Sequence, residues 1–491
     1  MVTQEHLGEY QNIINEIFVT APRAVMEENM LNKEQLETLL SKCLDSDADF
    51  AEIFEEDTTS QSIQMLNGLV EEINQNNRSG IGVRIYKDCQ TVYGYTNDLE
   101  MESLLAFVSS LKEAFGNIEK QIPIQLNEEI IENKHPVLIH PIEADLKDKI
   151  DLLKKAYRIA KHYDSRIFKV QTNLLSVCQN VQISNTEGKL VKDVRIRTRM
   201  PISSYAKDKD QMQSGFEGPG ASMGLEYFSD ELIQKAASEA SRVAIVNLEA
   251  KDCPSGKMPV IIDNGFGGVI FHEACGHALE SSAVSKNQSI FTGKLGCQIA
   301  SEKVTAIDDG TISNAWGSSN VDDEGNLQQR RVLIEKGILK SYMVDRLNGR
   351  RMHMNSTGSS RRQSYKYEPT SRMSNTFIQA GEDDFDEMFE GISRGLYAKK
   401  MGGGSVNPQT GEFNFAVNEG YLIENGKISY PVKGATLIGS GDKILMNIDR
   451  VGKDCKRAQG MCGASSGSIP TDVGQPAIRV SSITVGGTSH E

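Results

Sequence analysis

The chain has 491 residues, of which 38% are hydrophobic and 24% charged, and its formal net charge is −14. This length accommodates two or three domains with a substantial buried core, and the composition excludes a fibrous or wholly disordered protein. The acidic balance disfavours nucleic acid or an anionic membrane as the main partner. No apolar run approaches the roughly 20 residues that cross a bilayer, and the polar N-terminal residues do not follow a secretory-signal pattern, so we expect a cytoplasmic protein.

The first half of the sequence reads as two units that each combine strands with helices. Apolar spacing predicts polar helices within about the first 45 residues. Short strands begin at residues 49–54, turn signals stand at 67–68 and 77–80, an alternating strand lies at 82–86, and a helix covers about 101–115. After a proline-punctuated connector, the second unit has a helix at 147–163, a hairpin turn at 185–188 and a helix at about 230–248.

The texture changes after residue 250, where glycine-rich, alternating segments continue to the end of the chain. This pattern is typical of a mainly antiparallel β domain. We therefore predict an α+β fold with N-terminal α/β units of antiparallel sheets and helices, followed by a β-rich, barrel- or sandwich-like domain. The predicted domains are 1–120, 121–250 and 251–491.

One short segment, HEACGH at 272–277, carries the chemistry. Two histidines on one helix suit a divalent transition metal, and zinc is the default for imidazole ligands at a hydrolytic site. Residues five apart differ by roughly 500° on a regular α-helix, which leaves the rings of His272 and His277 about 140° apart. We therefore predict a π-turn or kink between them, with Gly276 lowering the cost of the distortion.

Glu273 lies beside the first histidine and is positioned to contact a zinc-bound water, from which a carboxylate takes a proton for delivery to the leaving amine. A catalytic zinc site also needs a third protein ligand and one open position. The candidates for that ligand are Glu280, Cys275, Cys455 and Cys462. From residue chemistry alone, Glu280 and Cys462 remain equally good choices.

Motifs spread over nearly the whole chain resemble the TldD/PmbA family of metalloproteases, specifically its metal-bearing TldD branch. They include residues 49–54, 80–86, 271–280, 372–376, 402–403, 411–413, 424–428, 431–434, 461–463 and 485–487. The resemblance implies zinc held by His272, His277 and Cys462, with Glu273 as the catalytic carboxylate. It also implies unfolded peptides as substrates and a dimer, formed with a PmbA/TldE-like paralogue or with a second copy. The chain departs from the family pattern at residues 463–468, after the cysteine.

An arginine-rich segment at 346–372 allows two interpretations, a cleft wall that binds peptide carbonyls or a carboxylate, and a solvated loop paired with nearby acids. Residues 372–376 would offer backbone groups to an added substrate strand. The sequence as a whole predicts a zinc metallopeptidase of HExxxH type. The alternative is a non-catalytic, peptide-binding or regulatory subunit of a TldD/PmbA-type complex.

Overall fold

The computed structural model describes residues 30–116, 122–407 and 410–488. Within these ranges the chain forms one nine-stranded sheet in its N-terminal half, and sheets of eight, six and two strands in its C-terminal half. Helices pack mainly on the N-terminal sheet, so the predicted α+β class is confirmed. The part of the helical prediction that precedes residue 30 lies outside the described residues.

The first part of the N-terminal sheet is a long antiparallel hairpin with a helix pair. Its elements are α1 (Lys33–Cys43), β1 (Phe50–Leu66), β2 (Leu69–Lys87), β3 (Gln90–Thr96) and α2 (Met101–Lys112). The turn predicted at 67–68 joins β1 to β2, with both residues at positive φ. The turn predicted at 77–80 is wrong, because these residues continue β2 in register with β1, where Ser79 pairs with Asp57.

The second part of this sheet continues from the first without a break. Its elements are β4 (Asn127–Glu129), α3 (Leu146–Lys161), β5 (Ile167–Asn185), β6 (Lys189–Arg199), β7 (Ile202–Asp208), β8 (Gln211–Glu217), β9 (Gly220–Ala221) and α4 (Asp230–Glu249). Strand β5 pairs along β1 from Asn185 to Gln171 and so joins the strands of both predicted units. Helices α3 and α4 bury Leu153 and Ala237 against the sheet in a single apolar cluster.

The C-terminal half is built almost entirely from strands. They are β10 (Lys251–Asp252), β11 (Gly256–Ile262), β12 (Ala306–Asp309), β13 (Arg330–Glu335), β14 (Ile338–Leu339), β15 (Ser360–Arg361), β16 (Thr370–Ser371), β17 (Asn375–Ile378), β18 (Arg394–Val406), β19 (Glu412–Glu424), β20 (Lys427–Lys433), β21 (Thr436–Ser440), β22 (Ile448–Val451), β23 (Lys456–Ala464), β24 (Gly467–Gln475) and β25 (Ile478–Gly486). The α-helical pieces are α5 (Val269–Phe271), α6 (Ser281–Val284), α7 (Arg346–Met352) and α8 (Gly441–Met446). Single 3₁₀ turns occur at Glu113–Phe115, Leu225–Tyr227, Gly265–Gly268 and Asp386–Phe389.

Two sheets of this half frame the segment at 272–277. In the larger one, strands β19-β18-β11-β25-β21 close into a barrel because β21 pairs back onto β19. The second sheet has the order β14-β13-β12-β17-β24-β23 and ends at β23. One apolar cluster joins Ala274 of the segment, and Phe271 just before it, to barrel residues such as Phe415 and Val480, which anchors the segment against the barrel. In the described ranges, no helix has the length and apolar character that a membrane crossing requires.

Candidate metal centre

The segment that carries the two histidines is an irregular helix. After α5 the chain forms a π-turn over His272–Gly276 and then a 3₁₀ turn over His277–Leu279. A π-turn closes its hydrogen bonds between residues five apart, so it brings positions 272 and 277 to the same side. The predicted distortion is therefore confirmed, and it removes the angular mismatch that a regular α-helix would impose.

Gly276 serves a different purpose from the predicted one. Its backbone is in the ordinary helical region, with φ −55°, so the turn itself does not need glycine there. A Cβ atom at this position would lie 2.2 Å from Sδ of the buried Met373, far inside van der Waals contact. Glycine is required because the core approaches the π-turn so closely.

Three donor atoms converge beside the π-turn. The Sγ atom of Cys462, on strand β23, lies 3.2 Å from Nε2 of His272 and 3.2 Å from Nε2 of His277. All three atoms lie within 4.8 Å of one another. Two imidazole nitrogens and one thiolate form a donor set that suits zinc, so the residues fit the metal that the sequence predicts.

The second ring nitrogen of each histidine has its own partner. Nδ1 of His272 lies 3.1 Å from Oγ1 of Thr376, and Nδ1 of His277 lies 3.2 Å from Oε2 of Glu280. Such partners fix the tautomer and the orientation of ligand histidines. Glu280 therefore contacts the far side of His277, which favours Cys462 over Glu280 as the third ligand.

The other candidate thiols face elsewhere. Sγ of Cys275 points to the carbonyl of Gly441 at 3.7 Å, and Sγ of Cys455 points to the carbonyl of Ile378 at 3.5 Å. Neither residue belongs to the donor cluster found among the described residues. Both thiols contact backbone carbonyls instead of the donor cluster.

The buried side chain of Arg372 connects the Cys462 hairpin to Glu280. Its Nη2 donates to the carbonyl of Cys462 at 2.5 Å, and its Nη1 donates to Ser466 Oγ at 2.9 Å and to the carbonyl of Gly467 at 3.0 Å. Its Nε lies 3.9 Å from Oε1 of Glu280. One guanidinium thus holds the tip of the β23–β24 hairpin in place relative to the carboxylate that contacts His277.

His277 and Cys462 strongly affect each other's protonation. Burial would raise the pKa of the Cys462 thiol, but the charges and hydrogen bonds of His272 and His277 lower it to about 3. Burial would lower the pKa of His277, but Glu280 and Cys462 raise it well above its usual value. Without a metal, Cys462 is therefore a thiolate and His277 is an imidazolium. A metal ion that binds His277 must displace the imidazolium proton.

Glu273 lies at the open side of this cluster. Its side chain keeps 24% exposure, and Oε2 lies 3.7 Å from Nε2 of His277, the nitrogen that faces Cys462. The carboxylate therefore borders the space between the donor atoms and solvent. This arrangement agrees with a role beside the metal and leaves the role itself a prediction.

The arginine-rich segment lies against the N-terminal sheet. Arg350 pairs with Asp49 at 2.6 Å, and the buried Arg362 lies 3.3 Å from Glu52. The interpretation as a loop paired with acids is thus right about the pairing, although much of the segment is buried rather than solvated.

The suggestion that residues 372–376 receive an added strand is wrong. Strand β17 is already paired on both edges, with β12 and with β24. The amide of Arg372 donates to Ser359, and the amide of Ser374 donates to Asp308. Sequence reasoning also missed Thr376 as a partner of His272, since no local spacing links two residues 104 positions apart.

Comparisons with known proteins agree with the motifs. Three domain models of one family match the chain: PmbA/TldA metallopeptidase domain 1 at residues 51–115, the central domain at 139–248 and the C-terminal domain at 255–487. Two solved structures share the fold. The putative modulator of a DNA gyrase from Thermotoga maritima has a TM-score of 0.75 at 23% identity and covers 92% of this chain and 99% of its own. TldE from Thermococcus kodakarensis has a TM-score of 0.73 at 17% identity and covers 92% and 100%.

Named relatives are similar over most of their length. The Metalloprotease TldD homolog of Haemophilus influenzae is 38% identical over 453 residues, covering 90% of this chain and 93% of the relative. The Metalloprotease TldD homolog of Buchnera aphidicola is 35% identical over 488 residues, covering 96% and 99%. The Zinc metalloprotease TldD homolog of Saccharolobus solfataricus is 32% identical over 290 residues, covering 59% and 64%. The chain therefore belongs to the PmbA/TldD family of metallopeptidases, the family that its motifs resemble.

Proposed function

We propose that the chain is a zinc-dependent peptidase that hydrolyses extended or unfolded peptides, with His272, His277 and Cys462 as metal ligands. The convergence of two imidazole nitrogens and one sulfur within 4.8 Å carries the proposal. This donor set matches catalytic zinc sites that use three protein ligands and leave one position open. The printed name of the Saccharolobus relative, a zinc metalloprotease, supports the choice of metal.

In this proposal zinc supplies a Lewis acid that polarises the scissile carbonyl and lowers the pKa of the attacking water. Glu273 accepts the proton of that water and delivers it to the leaving amine, from its place 3.7 Å from Nε2 of His277. Thr376 and Glu280 accept from the Nδ1 atoms and so keep a lone pair on each Nε2.

Strand β23 would supply the backbone edge for the peptide. Within the described residues it pairs on one side only, with β24. The amide of Asp472, opposite Gln459 on β23, donates away from β23 to Ser374, so the backbone groups of Met461 and Gly463 point to the free edge. Both residues are exposed and flank Cys462. A peptide added at this edge would lie beside the metal ligands, and β23 would bind it through main-chain hydrogen bonds.

The substitution Glu273→Gln tests the mechanism. We expect the variant to bind about one zinc per chain, because the three ligands are untouched. We expect cleavage of an unstructured peptide to fall by roughly 10²–10⁴-fold or more, because the amide accepts no proton. Zinc content by elemental analysis and the cleavage rate by mass spectrometry are the two measurements.

Glu302→Gln is the matched control, since this glutamate is exposed on the same half of the chain. It should cleave like the parent. Full activity in Glu273→Gln would refute the assigned role of this residue. A carefully prepared parent protein that holds no zinc and cleaves nothing would favour the alternative of a non-catalytic, peptide-binding subunit.

We also propose that the chain works as a cytoplasmic dimer, with a TldE-like paralogue or with a second copy. The family membership and the likeness of the fold to TldE support a related partner. Purification of the tagged chain from its native cell, followed by mass determination of the intact complex, would distinguish the two kinds of dimer. A monomer at working concentration would refute both.

A further inference from the structure

The outer half of strand β2 is exposed on both faces and along one edge. Every side chain from Leu69 to Asn77 is exposed. On one side the strand pairs with β1 without interruption from Glu72 to Tyr86. On the other side β3 covers only Ile81–Lys87. Within the described ranges, residues 69–80 therefore keep a free backbone edge.

This edge has few of the features that normally prevent a strand from pairing with another chain. Native proteins interrupt or cover long free edges with prolines, lysines, bulges or neighbouring segments, because unpaired N–H and C=O groups bind other strands. Residues 69–80 contain no proline and no lysine. One bulge lies at Glu71, where the register with β1 shifts. The residues beyond it, 72–79, form a regular edge.

Two opposite charges lie on one face of this edge. Glu72 and Arg78 are six residues apart, and side chains on a strand alternate between faces, so both point to the same side. Nε of Arg78 donates to Oε1 of Glu56 at 2.6 Å, while its Nη1 and Nη2 have no partner among the described residues. Glu72 is exposed and, in the same ranges, forms no ion pair. Each charge is therefore available to a second chain.

The two charges complement each other when the strand meets a copy of itself. Two copies of β2 that pair antiparallel about a two-fold axis at Gln75 bring residues 72 and 78 directly opposite each other. The same contact occurs twice, because each copy provides one Glu72 and one Arg78. Opposite charges in directly facing cross-strand positions stabilise a strand pair. Asn74 would face Asn76 between the two ion pairs.

The charges select this register over its neighbours. A two-fold axis perpendicular to the sheet keeps each side chain on its own face, so the axis can move only from one residue to the next. With the axis at residue 74 or 76, neither Glu72 nor Arg78 would face a charged residue. The register centred on Gln75 is therefore favoured over both.

We propose that residues 72–79 of β2 pair with the same residues of a second copy of this chain, so that two N-terminal sheets join into one continuous antiparallel sheet. The inference rests on the dimer of the proposed function and names its contact surface and its partner. Ile73, whose side chain is 44% exposed, would contact Asn77 of the second copy. The free edge of β23, assigned to the peptide, belongs to a different sheet.

Cysteine crosslinking of the full chain tests the contact. Directly opposed residues of an antiparallel pair have Cα atoms about 4.5–5.5 Å apart, a separation that a disulfide spans. Gln75→Cys, made in a Cys297→Ser background because Cys297 is exposed, should give a covalent dimer when the recombinant protein is treated with diamide. Asn77→Cys is the matched control. Its exposed thiol would lie roughly 13 Å or more from its counterpart and should not crosslink.

A change of charge tests the register. Glu72→Arg replaces two attractive contacts per dimer with two repulsive ones, so we expect the dissociation constant of the dimer, measured by sedimentation, to rise about tenfold or more. Glu113→Arg makes the same change of charge at an exposed position outside the sheet and should leave this constant unchanged. An unchanged dissociation constant in Glu72→Arg would overturn the proposed pairing.

A dimer that forms no crosslink through Gln75→Cys would place the contact elsewhere and overturn the inference, while the proposed dimer would stand. A monomer at working concentration would overturn both. If the edge amides of such a monomer also exchange slowly with deuterium, a segment of the same chain, such as residues 1–29, occupies the edge. The peptidase function is judged separately, by zinc-dependent cleavage of an unstructured peptide by the parent protein.

Discussion

Cys462 differs from Cys43 in the side chains that surround its thiol. Burial raises the pKa of the Cys43 thiol to about 12, where its apolar neighbours offer no compensation beyond Lys112. Cys462 is almost as buried, yet the two imidazoles beside it lower its pKa to about 3. A thiolate is the form that binds a metal, so the two imidazoles keep this sulfur in the form that the proposed metal site requires.

Asp472 provides a pH-dependent test of burial at a single residue. Burial raises the pKa of this carboxyl from 3.8 to about 7, against the lowering effects of Arg457, the Trp316 amide and Arg199. Its Oδ1 is sealed from solvent and has no hydrogen-bond partner among the described residues. As the pH rises from about 4 to about 7, the unfolded chain loses this proton and the folded chain keeps it, so stability falls across that window.

Asp472→Asn removes the titration and should stabilise the protein at pH 8 by about 2–4 kcal/mol, an advantage that shrinks towards pH 5. Urea unfolding of parent and variant at both pH values measures it. Asp252→Asn, at an exposed position, should leave the pH dependence of the parent unchanged. If the free energy of unfolding changes equally with pH in the parent and in Asp472→Asn, the Asp472 carboxyl is ionised in the folded state.

At the scale of elements, the π-turn places His272 and His277 on the same side of the helix. Gly276 allows this turn to pack closely against the buried side chain of Met373. Gly276→Ala places a Cβ 2.2 Å from Sδ of Met373, so either the turn or the core must move. We expect a loss of about 1–3 kcal/mol of stability, as for other overpacked cores, and weaker zinc binding. Denaturant unfolding and competition with a chromogenic chelator measure the two effects.

Gly403→Ala is the control, because nothing lies within 4 Å of a Cβ at that glycine. It should alter neither quantity. Unchanged zinc affinity in Gly276→Ala would mean that the ligand geometry tolerates a displaced turn.

The sequence predicts elements where a local pattern decides the structure. The spacing of His272 and His277 is enough to predict a distorted helix, because rotation per residue is a local property. Residues 77–80 mislead, because pairing with β1 overrides their turn preference. Cys462 lies on a strand 185 residues after His277, so local spacing cannot show that the two residues are close together. From the sequence, Cys462 and Glu280 are therefore equally good candidates for the third ligand, and only the family resemblance favours Cys462.

At the scale of the whole molecule, the N-terminal sheet and the C-terminal half are joined by buried charge. Residues 321–327 of the C-terminal half insert polar groups against the sheet. Nη2 of Arg84 lies 2.6 Å from Oε1 of Glu324 and 2.8 Å from Oε1 of Glu52. Lys189 donates to the carbonyl of Gly325 at 3.0 Å. The amide of Arg346 donates to Oε2 of Glu324 at 2.9 Å, so the same junction also holds the start of the arginine-rich segment in place.

Arg84→Met tests how strongly this junction holds the two halves together. Methionine fills a similar volume but leaves Glu324 buried without its cation, and breaking a buried pair in this way costs about 3–5 kcal/mol. The fluorescence of Trp316, the single tryptophan, reports the transition at the junction because its carbonyl binds Arg197 of the sheet.

Adding Glu324→Gln should recover part of the loss, since it removes the stranded charge, and Lys453→Met at an exposed pair should not shift the urea midpoint. If Arg84→Met unfolds at the parent's midpoint, the ion pair contributes nothing to the junction; if it unfolds in two separated steps, the halves fold independently and the junction serves only to orient them.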